Sequence, residues 1–112
     1  MELNLAVKRL SALAQEGRLA VFRLLVKAGL DGLPAGEIAQ TLGIPPNTLS
    51  AQLTILATAG LITSKRAGRS IIYAAHFEGM TELLAYLVDD CCDGQVELCP
   101  PMIREINNAI CC

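Results

Sequence analysis

The stretch GEIAQTLGIPPNTLSAQLTILATAGLI, residues 36–62, decides the fold. Residues 34–42 (PAGEIAQTL) predict a short helix closed by Gly43, because glycine accepts the left-handed backbone in which helices often finish. Pro45-Pro46 then suits a second helix start, where a missing N–H costs nothing. Leu49, Leu53 and Leu56 follow at the spacing of one helix face, so this helix runs to about Ala59 and Gly60 caps it. Only LGIPP separates the two, and helices joined so tightly meet as a helix-turn-helix.

On the N-terminal side, Leu3, Val7, Leu10 and Leu13-Ala14 are spaced for an amphipathic helix. Arg18 to Ala28 (RLAVFRLLVKA) is apolar nearly all round, as expected of a helix in the middle of a domain, and Gly29 ends it. On the C-terminal side, LITSKR and SIIYAA are β-runs joined by Ala67-Gly68-Arg69. From His76 to about Cys92 helical spacing returns through Met80, Leu83, Leu84, Leu87 and Val88. The tail PPMIREINNAICC adds Ile103, Ile106 and Ile110 at helical spacing behind two prolines.

Four helices, a hairpin and a helix, in that order, predict a mainly α (α+β) chain. The arrangement is a winged helix-turn-helix with about five to six helices and a two-stranded β-hairpin wing. Residues 1–92 form the folded domain and residues 93–112 a cysteine-containing tail. The first and last helices carry apolar stripes outside the helix-turn-helix core, which makes them the natural faces of a homodimer. A chain of 112 residues fits one domain, and without tryptophan its core must be aliphatic. No apolar run approaches the ~20 residues of a membrane span, and MELNLAVKRL lacks a signal-peptide layout. The expected location is cytoplasmic, with no membrane partner.

Net charge is −2, unevenly spread. Between Lys27 and Lys65 there is no lysine or arginine, whereas Lys65, Arg66 and Arg69 stand in the hairpin without an acid. A basic patch in an acidic chain points to an anionic partner. In a winged helix-turn-helix the second helix lies in the DNA major groove and the hairpin reaches the backbone. The helical wheel sets Asn47, Ser50, Thr54 and Thr58 opposite the leucines, with Thr48 and Gln52 flanking. Asn and Gln pair with adenine edges, and Ser or Thr bonds to bases or phosphates. The expected DNA contacts are therefore Asn47, Thr48, Ser50, Gln52 and Thr54 in the groove and Lys65, Arg66 and Arg69 on the backbone. Lys8, Arg9, Arg18, Arg23 and Lys27 are further cations that could assist. No CxxC, nucleophile–histidine pair or phosphate loop suggests an enzyme or an organic cofactor.

The five cysteines form a poor disulfide framework, with Cys91-Cys92 and Cys111-Cys112 adjacent and Cys99 between. Cys91 and Cys92 sit among aspartates, where burial as small apolar residues is hard to arrange. The loop DGQVEL lets Cys99 fold back on them, so three thiolates could meet on one soft ion. Three sulfurs without histidine suit trivalent arsenic or antimony, which form three pyramidal bonds. Zinc, cadmium or lead is the alternative, with Asp93, Cys111 or Cys112 as a fourth donor. Reversible disulfide chemistry at the same thiols is another. His76, the one histidine, lies about four helical turns before Cys91 and reads as a surface or helix-start residue.

Three segments together resemble the ArsR/SmtB family of metal-responsive repressors over residues 5–90. They are LAQEGRLAVFRLL, the helix-turn-helix GEIAQTLGIPPNTLSAQLTILATAGLI, and the wing KRAGRSIIYAA. The resemblance implies a homodimer that binds operator DNA when free of effector and leaves it when effector binds. Many arsenic-responsive members carry a cysteine pair in an ELCVCDL-like motif; here that stretch is GLPAGEI, without a thiol. Zinc-responsive members place histidines and carboxylates on the last helix; this chain has Asp89 and Asp90 there but no histidine beyond His76. Ala51 replaces the usual basic residue after the recognition serine. The chain resembles an arsenic-responsive subgroup with a Cys-Cys pair and one further cysteine. It is expected to be released from its operator by arsenite, antimonite or methylarsenite on Cys91, Cys92 and Cys99.

Overall fold

A computed structural model describes residues 1–89 of the chain. Five helices are present among them: α1 (Leu3–Leu13), α2 (Glu16–Ala28), α3 (Ala35–Leu42), α4 (Pro46–Thr58) and α5 (Phe77–Leu87). Three strands, β1 (Leu33–Pro34), β2 (Ile62–Ala67) and β3 (Ser70–Ala75), form one antiparallel sheet in the order β1-β3-β2. The expected hairpin is therefore part of a three-stranded sheet. Strand β1 pairs Leu33 with Tyr73 and Pro34 with Ile72. A two-residue strand is too short to show a period of two, and its proline is tolerated because β1 is an edge.

The helix ends have local causes. The Gln15 side chain accepts a 2.8 Å hydrogen bond from the Arg18 N–H, satisfying one orphan donor at the start of α2. Helix α3 stops at Gly43, in the left-handed conformation with φ 66°. Helix α4 begins on Pro46, whose ring presets φ at the first helical position.

The core lies where α2 meets α3, α4 and the sheet. Val21, Leu25, Ile38, Leu56 and Leu61 are completely buried, and Leu49 and Leu53 nearly so. Each such aliphatic side chain contributes about 1.5–3 kcal/mol on leaving water. Helix α2 is central but not enclosed: Val21, Phe22 and Leu25 face inward, while Leu19 and Val26 remain exposed.

Helix α1 turns Ala6, Arg9 and Ala12 inward. Its apolar stripe faces out, with Leu3, Val7 and Leu10 exposed at 68%, 53% and 42%. Helix α5 buries Leu83, and Met80 packs against the core, while Phe77 and Leu87 are exposed. Within the described residues α5 ends at Leu87, short of the expected Cys92. Among them no helix is long and apolar enough to cross a membrane.

Candidate nucleic-acid interface

Helix α4 is oriented by its leucines. Leu49, Leu53 and Leu56 are buried, so the opposite side must face solvent. Asn47, Thr48, Ser50 and Thr54 are all exposed there, as the helical wheel requires. The Thr54 hydroxyl donates a 3.0 Å bond to the Ser50 carbonyl four residues back. Its proton is thus held within the helix, and toward a base Thr54 presents an acceptor and a methyl group. Ala51 and Ile55 are exposed beside these hydroxyls, Ile55 at 41%. Apolar side chains on such a face can meet the thymine methyl group, a chemistry the search for polar readers overlooked.

Gln52 departs from the expected face. It is 9% exposed, and its Oε1 has no hydrogen-bond partner. Its amide lies against Gly17 in α2, so closely that a side chain at Gly17 would collide with Nε2. Gln52 is three residues after Leu49 and four before Leu56, which carries it onto the buried side. It belongs to the α2–α4 packing and is removed from the groove-facing set.

The wing supplies the charge that α3 and α4 lack. The β2–β3 ladder pairs Lys65 with Ile72, Arg66 with Ile71 and Ala67 with Ser70, leaving Gly68-Arg69 as a two-residue turn. Lys65, Arg66 and Arg69 are exposed. Successive strand residues point to opposite faces, so Lys65 and Arg66 leave β2 on opposite sides of the hairpin. Arg69 lies beside the start of α3, lining a surface depression with Pro34, Gly36 and Tyr73. A neighbouring depression between α3 and α4 shares Gly36 and Tyr73 and includes Ser50. The wing turn and the exposed side of α4 therefore border one continuous face. Among the described residues the one ion-pair contact is His76 Nε2 to Glu78 at 3.9 Å, which leaves the wing cations unneutralised there.

The auxiliary cations separate into two kinds. Lys8, on α1, lies along a groove with Thr54 and Thr58 and extends the basic face toward the end of α4. Arg23 and Lys27 are exposed on α2. Arg9 and Arg18 instead hold the backbone. Arg18 Nε donates to the Ala12 carbonyl at 2.7 Å and Nη2 to the Ser11 carbonyl at 3.2 Å, closing the end of α1. Arg9 is 6% exposed and donates to the carbonyls of Ala59 and Gly79. Buried Arg9 is committed to the fold, whereas Arg18, half-buried, makes its backbone bonds while lining the same groove as Lys8.

His76 occupies the N-cap position of α5, with Nδ1 3.0 Å from the Gly60 carbonyl oxygen. Cys91, Cys92, Cys99, Cys111 and Cys112, with Asp93, lie outside the described residues. Among the described residues no group of three or more histidine, cysteine or carboxylate side chains is placed to hold a metal ion.

A family model described as a helix-turn-helix domain matches residues 13–65. The HTH-type transcriptional regulator NmtR of Mycobacterium tuberculosis is 35% identical over 75 residues, covering 67% of this chain and 60% of that protein. The chain thus spans 60% of the length of that relative. HlyU from Vibrio cholerae shares 30% identity and superposes with a TM-score of 0.62 over 78% of this chain and 97% of its own. A homodimeric winged helix-turn-helix DNA-binding domain from Mycobacterium bovis, a possible ArsR-family transcriptional regulator, is 25% identical. Its TM-score is 0.64 over 84% of this chain and 87% of that domain.

Proposed function

Since the chain belongs to the ArsR/SmtB family of transcriptional regulators, we propose that it is a cytoplasmic, homodimeric repressor that leaves its operator when trivalent arsenic binds C-terminal thiolates. The observation that carries the DNA-binding part is the orientation of α4. Its leucines are sunk in the core, so Asn47, Thr48, Ser50 and Thr54 stand outward on a face bordered by the wing turn and Arg69, which has no carboxylate partner among the described residues. In this reading the α4 residues enter the major groove and Lys65, Arg66 and Arg69 meet phosphates. Phosphate attraction supplies the sequence-independent part of the affinity, and base edges the rest.

The dimer reading rests on α1. Leu3, Val7 and Leu10 form a stripe at helical spacing that the single chain leaves in water, and Phe77 and Leu87 of α5 are exposed as well. Covering these side chains with a second copy removes apolar area from solvent and places two α4 helices for two half-sites.

The effector reading rests on the donor set in the sequence. Cys91, Cys92 and Cys99 follow α5 closely, and three thiolates match a three-coordinate soft ion such as trivalent arsenic, with antimony its close chemical analogue. Joining the thiols to one ion would alter the end of α5 and, through the dimer helices, the separation of the α4 pair. Effector and DNA then weaken each other by the same factor.

Fluorescence anisotropy on DNA upstream of the gene, titrated with arsenite under reducing conditions, tests all three parts. Release from the wild type, abolished by Cys91→Ser, Cys92→Ser and Cys99→Ser, is the expected result. Release that survives Cys99→Ser indicates a two-thiol effector such as a methylarsenical, or participation of Cys111-Cys112. Tight binding that ignores arsenite but yields to diamide replaces the metalloid with disulfide chemistry. Release by cadmium, zinc or lead in its place substitutes a four-donor site. No DNA binding at all refutes the repressor.

A further inference from the structure

Arg9 is a buried cation with no carboxylate partner among the described residues. Burying a charge is expensive unless it is paired or fully hydrogen-bonded. Its partners are backbone carbonyls drawn from two distant helices. Nε donates to Ala59 at 2.8 Å, at the C-terminal end of α4, and Nη1 donates to Gly79 at 2.7 Å, in the first turn of α5. The α4 end carries about half a negative charge, because its last carbonyls lack intrahelical donors. The guanidinium of α1 thus neutralises the end of the helix that would read DNA.

His76 completes the same joint from α5. Nδ1 meets the Gly60 oxygen at 3.0 Å, and the His76 N–H donates to the Leu61 oxygen at 2.8 Å. The approach is close enough to dictate two glycines. Gly60 has φ 82°, and a Cβ there would stand 2.9 Å from Arg9 Nη2. A Cβ at Gly79 would collide with the Gly60 oxygen and stand 2.9 Å from His76 Nδ1. Three helices are therefore locked on the three residues Ala59-Gly60-Leu61. Two of them, α1 and α5, carry the exposed apolar side chains on which the dimer reading rests; the third is α4.

We propose that Arg9 and His76 are positioning residues for DNA reading: they fix the end of α4 to α1 and α5 and so set the separation of the two α4 helices across a dimer. The proposal rests on the reading of the chain as a dimeric DNA-binding protein. Neither side chain touches DNA. The joint acts through direction alone: a helix held at one end by hydrogen bonds to two neighbours cannot pivot without breaking them. Side chains of α4 then arrive at half-sites of one spacing.

The test uses the full-length protein and the inverted repeat mapped by footprinting upstream of the gene, in duplexes whose half-sites are moved closer or farther by one and two base pairs. The wild type is expected to favour one spacing. Arg9→Met and His76→Ala are expected to lose about tenfold or more at that spacing, the scale of one mismatched base pair, with the preference among spacings flattened to about threefold. Arg9→Lys, which keeps a donor to the α4 end, is expected to retain the preferred spacing. If Arg9→Met does not fold, His76→Ala at its partly exposed position carries the test alone. Folded, dimeric variants that keep the wild-type affinity and spacing preference overturn the proposal. Failure of the wild type to bind DNA refutes the repressor reading instead, and is seen before any variant is compared.

Discussion

Arg69→Gln isolates the charge carried by the wing. Arg69 is exposed in the two-residue turn between β2 and β3 and has no carboxylate partner among the described residues. Its substitution therefore removes a cation without disturbing the core. In a two-fold dimer the change occurs twice, so two phosphate contacts disappear together. Each contact contributes about 0.9 to the slope of log affinity against log salt, and the variant's slope is expected to be shallower by about 1.8. Between ~50 and ~200 mM salt the wild type should then lose about tenfold more affinity than the variant. The assay is fluorescence anisotropy on one operator duplex across that salt range, with thermal melting as the control for folding. Equal slopes with reduced affinity would assign Arg69 to base or shape recognition. Equal slopes with equal affinity would remove the wing turn from the interface and refute the reasoning from exposure and charge.

Gln52→Met should stabilise the fold by about 1 kcal/mol in urea unfolding, because it replaces a buried, unpartnered oxygen with an apolar side chain of similar length. Its DNA affinity should stay near that of the wild type; a large loss of affinity would return Gln52 to the groove. Val7→Glu places a charge in the exposed stripe between Leu3 and Leu10 and should weaken dimerisation by about tenfold or more in sedimentation equilibrium, near the cost of desolvating one poorly paired polar group. A dimer unchanged by Val7→Glu would move the interface off α1.

The elements most legible in the sequence are those whose cause is local. Leu49, Leu53 and Leu56 repeat with the helix period, and that period alone orients α4, because burying one side exposes the other. Gly43 and the Gly68 turn mark where the chain must bend, and both are found where glycine stands. Strand β1 escaped because two residues hold no period. The destinations of polar side chains were less legible. Gln52 carried a readable signal, since it falls between Leu49 and Leu56 on the wheel, yet its amide resembled that of a base-reading residue. Arg9 carried almost none: its partners lie 50 and 70 residues away, and no local pattern announces a carbonyl at the end of another helix.

Helix α1 makes the same point about apolar residues. Hydrophobic spacing found its stripe at Leu3, Val7 and Leu10, but the side that packs on its own chain consists of Ala6, Arg9 and Ala12. Alanines add little to a hydrophobic pattern, yet they permit the close approach that lets Arg9 reach the end of α4. Periodicity ranks the faces of a helix by how much apolar area needs covering, and it is silent about which molecule does the covering. Where the small-residue face is spent on the fold, the larger apolar face is left for a partner, and the residue that joins the two is the arginine between them.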